Sequence, residues 1–382
     1  MRRVSPLFLP CAAYALAVLV FSISPILVNV LTEHQGLSKS LAGLVASAEL
    51  LLTAAVGFFL GAICARVSHR HLLFIGSVLL VAGNLMSLGA STHFALIGAR
   101  CVCGLGAGLI FVCSNRLLAT SDDPIQAFAF AQIAATVLGA ALLFALPVLV
   151  ERLGAAGMYG TLAALATAFA VKSVFAPVKA PETPESTNVR RMVRTNAGAR
   201  WNIGIGVVLL TVGMGIYWGF TELLGSRVGA SPEAIGLTLM VAYLGGAVTS
   251  ALSSWVSGRW GRWPPIALGF GIQTMCIVWA CLSENAELVL ASVVVQTLAV
   301  CFGIPYLFAL CAEADADGDF ASTGVAVFFF SLAAGPFLGG LIIQSAGYAG
   351  IAVCAAVTTI AGLALMFSVV RGLPTNPANG KA

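Results

Sequence analysis

Residues 177–200 read PVKAPETPESTNVRRMVRTNAGAR. This segment contains three prolines, two glutamates and five basic residues, which makes it too polar for the hydrocarbon core of a bilayer. A composition rich in proline and charge is typical of a linker. We therefore interpret residues 177–200 as a linker between two parts of the chain.

The sequence on both sides of this linker is strongly apolar. Of the 382 residues, 59% are hydrophobic and 9% are charged, whereas soluble domains carry about 25% charged residues. This composition excludes a soluble globular domain and a disordered chain. The net charge of +4 is spread along the sequence without a basic patch, which excludes a nucleic-acid partner. An integral membrane protein in a lipid bilayer remains.

Each side of the linker contains six apolar runs that are long enough to cross a bilayer. The runs before it are 7–31, 41–65, 72–90, 94–119, 125–150 and 155–176, and those after it are 201–223, 235–257, 264–282, 288–312, 321–346 and 348–370. With the N-terminus in the cytoplasm, fifteen of the nineteen Lys and Arg residues fall on the cytoplasmic side, as the positive-inside rule requires. We predict an all-α integral membrane protein with twelve transmembrane helices. Both termini are expected in the cytoplasm, and the bacterial inner membrane is the expected location.

The two halves of the chain resemble each other. A shift of 193 residues aligns the second run with the eighth without gaps. The aligned identical pairs are Gly36 with Gly229, Ser38 with Ser231, Gly43 with Gly236, Leu44 with Leu237, Arg66 with Arg259, and Gly76 with Gly269. This repeat predicts two pseudo-symmetric six-helix bundles, 1–176 and 201–382, that rock about a site near the bilayer midplane.

The fourth run contains RCVCGLGAG, residues 100–108. This stretch matches the R-x-x-x-G-x-G-x-G pattern in the fourth span of the major facilitator superfamily. The twelve runs, the central linker and the repeated halves match the same family over the whole chain. The sequence is therefore similar to a major facilitator superfamily transporter, and the resemblance implies that fold and secondary active transport.

The resemblance also implies gating loops after the second and eighth runs. Residues 61–70, GAICARVSHR, match part of the family's G-x-L-x-D-R-x-G-R-K loop. The gating-loop candidates are Gly61, Arg66, Arg70, Arg259 and Arg262. Ala65 and Gly258 stand where the family has an acidic residue. This departure leaves open a protein that does not transport, such as a receptor or an assembly factor on the same scaffold.

A further fragment, GPFLGG at residues 335–340, resembles the G-P-x-x-G-G segment of drug and proton antiporters. In that group the segment lies in the fifth span, whereas here it lies in the eleventh run. Glycine permits close helix packing and proline releases a backbone carbonyl, so the fragment indicates a kinked, tightly packed helix. It also keeps efflux by proton antiport as an alternative function.

Three charged residues lie within or near the ends of apolar runs, where a charge is costly unless it faces a cavity or a partner. Glu49 and Arg100 lie about 12 and 9 Å deep at 1.5 Å per residue, so we expect them to pair. Burial opposes ionisation of a carboxyl group and a nearby guanidinium favours it, so such a pair can switch a proton. Glu222 lies near the outer end of the seventh run. We assign Glu49, Arg100 and Glu222 to proton coupling.

Polar and aromatic residues inside the runs are the candidates for substrate contact. Asn29 is included because the shift of 193 residues places it on Glu222. The substrate-binding candidates are Asn29, Arg100, Gln132, Tyr217, Trp218, Tyr243, Gln296 and Tyr306. For several of them, a hydrogen bond between packed helices or an interfacial aromatic is an equally good interpretation.

The sequence gives no sign of a metal site, a cofactor or a catalytic residue. All ten cysteines fall in or at the ends of apolar runs without a C-x-x-C pair, and all four histidines lie in loops. A phosphate-binding G-x-x-x-x-G-K loop is absent. We expect a monomeric protein that is not an enzyme.

These observations predict a secondary active transporter that moves a small organic solute by alternating access, coupled to protons. Arg100 favours an organic anion as the solute. The alternatives are efflux of amphiphilic compounds or drugs by proton antiport, and a receptor or assembly factor that does not transport.

Overall fold

The computed structural model describes residues 7–59, 67–121, 124–175, 197–256, 261, 263–313 and 319–372. Within these ranges the chain is almost entirely helical. The all-α prediction is therefore confirmed. Most of the predicted linker lies outside the described residues, so the domain boundaries stay a prediction.

Six helices form the N-terminal half. They are α1 (Phe8–Asn29), α2 (Lys39–Phe59), α3 (His69–Leu88), α4 (His93–Ala119), α5 (Pro124–Leu153) and α6 (Ala155–Phe175). A single π-helical turn, Val30–His34, continues α1.

The C-terminal half repeats this order with two irregularities. Its first helices are α7 (Ala197–Gly219), α8 (Thr221–Arg227), α9 (Pro232–Val256), α10 (Trp263–Leu282) and α11 (Ala286–Glu313). The short α8 follows α7 after a break at Phe220, whose φ is −112° and ψ is 9°. The last helical segment, Asp319–Gly372, is broken at Gly347, where φ is 65°. We number its two parts α12 (319–346) and α13 (348–372).

The described helices account for twelve membrane crossings. Eleven helical stretches are long and apolar enough to cross a bilayer, and the last of these is 46 residues long. Because Gly347 breaks that stretch, it supplies two crossings. Large apolar side chains such as Phe94, Met275 and Ile360 are exposed on the outside of the helices, as expected for surfaces that face lipid.

The two halves are related by the same shift of 193 residues along the whole described chain. Helices α2 and α9 begin at Lys39 and Pro232, and α4 and α11 begin at His93 and Ala286. In the described residues, four of the five left-handed glycines obey the same shift: Gly36 and Gly229 have φ of 69° and 78°, and Gly154 and Gly347 have φ of 59° and 65°. The fifth, Gly261, aligns with Ser68, whose φ is −57°. A side chain is disfavoured at the positive φ values of the two matched pairs, so both halves end equivalent helices with glycine.

Helix packing inside the halves follows this symmetry. Gly76 on α3 lies against Gly106 and Ile110 of α4, and the equivalent Gly269 on α10 lies against Ala299 and Gly303 of α11. Small residues let helix backbones approach closely in a membrane, where apolar burial gives no driving force. The prediction of two pseudo-symmetric bundles is confirmed.

The halves meet mainly where α2 packs on α12 and α5 packs on α9, with α1 against α7 and α8 between them. Gly43 of α2 lies against the Pro336 carbonyl of α12, and the equivalent Gly236 of α9 lies against the Leu143 and Phe144 carbonyls of α5. Both contacts lie toward the end of the molecule that carries the turns at 35–38, 154, 228–231 and 347. We call this the closed end; the first and last described residues, Leu7 and Gly372, lie toward the other end.

Candidate functional site

The two charged side chains predicted to pair lie in contact inside the N-terminal half. Arg100 Nη1 on α4 lies 3.2 Å from Glu49 Oε2 on α2, and the side chains are 1% and 5% exposed. A charge in hydrocarbon is tolerated when a partner of opposite sign is in contact with it. The role of this pair in proton coupling stays a prediction.

The remaining donors of Arg100 bind the C-terminal part of α3. Its Nε and Nη2 atoms donate to Ser87 Oγ at 3.1 and 2.7 Å, and Nη2 also donates to Asn84 Oδ1 at 3.1 Å. The Tyr159 ring of α6 lies 4.9 Å from the guanidinium carbon, a cation–π contact. All partners belong to the N-terminal half and the side chain is 1% exposed, so in this conformation Arg100 is not accessible to a substrate.

A small cavity adjoins the ion pair. Its volume is about 30 Å³, whereas one water needs about 10–15 Å³ on this measure. Its polar lining comes from Glu49, Asn84 and Arg100, and α1 closes it with an apolar face that includes Leu19 and Ile23. The ion pair therefore lies beside space for water inside an otherwise apolar bundle.

The C-terminal half has no counterpart to this polar cluster. The positions 193 residues beyond Glu49, Asn84, Ser87, Arg100 and Tyr159 are occupied by apolar residues. These are Ala242, Ile277, Ala280, Val293 and Ala352, and all five are buried. The same helix arrangement thus forms in the second half with apolar side chains at these five positions.

A second buried carboxyl group lies between the two halves near the closed end. Asn29 Nδ2, at the end of α1, donates to Glu222 Oε1 on α8 at 2.8 Å. Both side chains are buried, and Glu222 Oε2 and Asn29 Oδ1 have no hydrogen-bond partner among the described residues. The equivalence of these positions was the reason for predicting Asn29.

Two other candidates also cross between the halves. The Trp218 ring nitrogen donates to the Phe21 carbonyl at 3.1 Å. Tyr243 OH shares a hydrogen bond with Ser22 Oγ, and Gly139 of α5 leaves room for the Tyr243 ring. Both side chains are half-buried and lie near the middle of the bundle, where a substrate site is expected.

The other four candidates form no hydrogen bond between the halves within the described residues. Tyr306 OH donates to the Ser253 carbonyl at 2.9 Å, and Gln296 Nε2 donates to Thr297 Oγ1 at 2.7 Å, both inside the C-terminal half. Tyr217 is buried, and its hydroxyl has no partner within the described residues. Gln132 is exposed and accepts a bond from Tyr14 OH at 3.4 Å.

Sequence reasoning missed a set of aromatic side chains. The Phe329 ring of α12 lies 5.3 Å from Phe21 on α1 and 6.3 Å from Phe111 on α4, and Tyr14 lies 6.1 Å from Phe111. These rings are half-buried. Phenylalanine is common in lipid-facing helices, so no signal in the sequence marks these three. Asn84 and Ser87 were also missed, although both are polar residues in the apolar third run.

Four of the gating-loop candidates, Gly61, Arg66, Arg259 and Arg262, lie outside the described residues. Arg70 lies in the first turn of α3 and is exposed. Within the described ranges, no group of three metal-ligating side chains comes together.

Comparison with known proteins supplies the family. No curated protein matches the sequence. The fold is similar to that of the nucleoside transporter NupG, with a TM-score of 0.77 at 11% identity over 98% of this chain and 100% of that one. It is also similar to the peptide transporter POT in complex with sulfate, with a TM-score of 0.75 at 15% identity over 96% of this chain and 94% of that one.

A third solved structure is a bacterial homologue of the human lysosomal transporter Spinster, inward-facing and unoccupied. It gives a TM-score of 0.73 at 13% identity over 96% of each chain. A family model described as Major Facilitator Superfamily matches residues 11–314. Because this match covers most of the sequence, the chain belongs to the major facilitator superfamily.

Proposed function

We propose that the protein is a proton-coupled secondary transporter that moves a small organic solute by alternating access. The observation that carries the proton coupling is the buried pair Glu49–Arg100, which has only apolar counterparts in the other half. The family of transporters to which the chain belongs supports the transport itself.

The comparison between halves weighs against a purely structural role for the pair. Buried ion pairs often contribute little net stability, because desolvation offsets their attraction. Ala242 and Val293 fill the positions equivalent to Glu49 and Arg100 in a bundle of the same design. Helix packing therefore does not require the charges, and a function that uses them explains their presence.

Glu49 also lies next to the contact between the halves. On the same helix, Ser47 Oγ accepts a hydrogen bond from the Phe337 backbone N–H of α12 at 2.9 Å. Leu50 forms a buried cluster with Val20 and Ala333 of α12. If a change in the charge of Glu49 shifts α2, the contact between α2 and α12 changes as well, and this contact must move during transport.

The coupling is tested in proteoliposomes that contain a pH-sensitive dye and carry an imposed pH gradient. We expect solute-dependent proton flux in the wild type, and its loss in Glu49→Gln because the amide does not bind and release a proton as a carboxyl group does. Glu233→Gln serves as the control, since Glu233 is an exposed carboxyl group. Unchanged proton flux in Glu49→Gln would contradict the proposal.

For the solute class, two proposals differ in what recognises the solute. An organic anion needs Arg100 to leave its present partners in another state of the cycle. An amphiphilic solute needs an apolar, aromatic surface, and Phe21, Phe111, Phe329 and Trp218 supply one between the halves. The arrangement in this conformation favours the amphiphile, and with it the efflux alternative.

A thermal-shift comparison of benzoate with tetraphenylphosphonium separates the two, because a ligand that binds the folded state stabilises it. Stabilisation by tetraphenylphosphonium alone supports the amphiphile, and stabilisation by benzoate alone supports the anion. Proteoliposomes that bind a solute but never accumulate or release it would instead support the receptor or assembly-factor alternative.

A further inference from the structure

Asn29 and Glu222 occupy a special position in the molecule. They are 193 residues apart and in hydrogen-bond contact, so they are equivalent under the repeat and touch each other. Parallel repeats are related by an axis along the membrane normal. The midpoint between two equivalent residues lies on that axis, so equivalent residues that are in contact must both lie next to it. The Asn29–Glu222 pair therefore marks the centre of the closed end.

The surroundings of Glu222 favour its neutral form. The Asn29 amide is the hydrogen-bond partner of this carboxyl group among the described residues, and Glu222 Oε2 has none. An ionised carboxylate in an apolar site without a cation is costly.

Other ionisable groups at this end do not neutralise Glu222. Helix α8 packs against α1, α7, α9 and α11. The titratable and charged side chains that these elements carry at the closed end are Glu33, His34, Tyr217, Arg227, Glu233 and Glu287. In the described residues, none of them forms an ion pair or a hydrogen bond with Glu222. Arg227 instead donates to the Cys281 and Ser283 carbonyls at 3.3 and 2.9 Å.

The helices that carry the pair are irregular at this point in both halves. The π turn Val30–His34 begins directly after Asn29, and the break at Phe220 lies two residues before Glu222. Such irregular turns are frequent at functional sites.

We propose that Asn29 and Glu222 form a proton-operated gate at the closed end. With Glu222 protonated, the Asn29 bond holds the two halves together on the axis. When Glu222 loses its proton, its charge needs water, and water reaches it only if the halves separate at this end. Alkaline conditions thus favour opening of this end. The inference rests on the proposed alternating-access function and gives it a control point distinct from Glu49.

Hydrogen-exchange mass spectrometry of the full-length protein in nanodiscs tests the gate. Exchange is followed at pH 6 and pH 8 in residues 26–43 and 336–347, and at each pH it is compared with that of Glu222→Gln. This comparison removes the intrinsic pH dependence of amide exchange. We expect the wild type to exchange faster than the variant at pH 8, and the difference between the two to be smaller at pH 6. The open-to-closed ratio changes by about tenfold per pH unit where one proton is released on opening.

The symmetry supplies a second variant. The double variant Asn29→Glu with Glu222→Asn exchanges the two residues. It keeps one carboxyl group and one amide at the axis, but the carboxyl group now belongs to the N-terminal half. We expect this double variant to regain the pH response that Glu222→Gln loses, and Glu233→Gln to keep it. A pH response that persists in Glu222→Gln would overturn the gate, and a folded double variant without one would overturn its placement on the axis.

The two proposals can fail separately. If Glu49→Gln keeps normal proton flux while the wild type shows the pH-dependent exchange, the gate stands and the coupling role of Glu49 falls. If the wild type shows no such exchange while Glu49→Gln abolishes proton flux, the gate falls and the coupling role stands.

Discussion

Arg100 keeps its charge inside the N-terminal half because each of its three side-chain nitrogens has a polar partner. Those partners come from α2 and α3, while Tyr159 covers a face of the guanidinium. The buried charges of Glu49 and Arg100 stabilise each other, so each depends on the other. Removing one charge leaves the other buried without compensation, which is more costly than removing both.

We therefore expect Glu49→Ala to destabilise the protein by about 3–5 kcal/mol. The double variant Glu49→Ala with Arg100→Val, which copies Ala242 and Val293 of the other half, should lose less stability than Glu49→Ala alone. Denaturant unfolding in detergent micelles measures both, with the exposed Glu233→Ala as a control. A double variant less stable than the single one would mean that packing in this half depends on the pair itself.

For single residues, the sequence predicts which charged side chains are buried, but not all of their hydrogen-bond partners. Glu49 and Arg100 could be paired because depth along a span follows from residue count. Asn84 and Ser87 could be placed on one face of α3, since they are three residues apart. That this face points at α4 depends on how the helices cross, which the apolar pattern of a membrane helix does not record.

At the scale of helices, the segment GPFLGG of α12 lies at the junction of three helices. Gly335 lies against Gly215 of α7, and Gly340 lies against the Lys39 carbonyl of α2. Proline at 336 cannot bond the Leu332 carbonyl, and Gly215 lies beside that carbonyl as well. The fragment therefore acts through close packing here, as its glycines and proline indicate, in the half opposite to that of the antiporters it resembles.

Gly43 tests this packing, because an added Cβ would collide with the Pro336 carbonyl. We expect Gly43→Ala to push α2 away from α12 and to shift the protein toward opening at the closed end. Spin labels at the exposed, equivalent positions Ala95 and Leu288, in a cysteine-replaced background, report this as a longer distance. Gly98→Ala is the matched control, since no atom lies within 4 Å of its added Cβ. Equal distances in the two variants would contradict this role for Gly43.

At the scale of the whole molecule, the repeat determines which residues of the two halves occupy equivalent positions. The shift of 193 residues, found in the sequence around the second and eighth runs, also relates helix starts, left-handed glycines and close contacts in the structure. The helical class and the number of spans follow from composition and periodicity. The functional asymmetry does not, because it becomes visible only when the polar cluster around Arg100 is compared with the apolar residues at the equivalent positions of the other half.

The closed end is also held at its surface, where one ring meets cations from both halves. Lys39 Nζ of the N-terminal half lies 5.0 Å from the centre of the Tyr348 ring, and the Arg227 guanidinium carbon of the C-terminal half lies 4.6 Å from it. A cation–π contact at an exposed site contributes about 0.5–1 kcal/mol. Because Lys39 and Tyr348 belong to different halves, their contact contributes only while this end is closed.

We therefore expect Tyr348→Ala to lower the closed-to-open ratio by about two- to fivefold, the equivalent of one such contact. Tyr348→Phe should leave the ratio unchanged, because the phenyl ring keeps the face that attracts the cation. Single-molecule fluorescence transfer across the closed end measures the ratio, and Lys39→Ala in each background isolates the contact between the halves. If Lys39→Ala has the same effect with and without the Tyr348 ring, the two residues are not coupled and closure at this end depends on the glycine contacts and the Asn29–Glu222 pair alone.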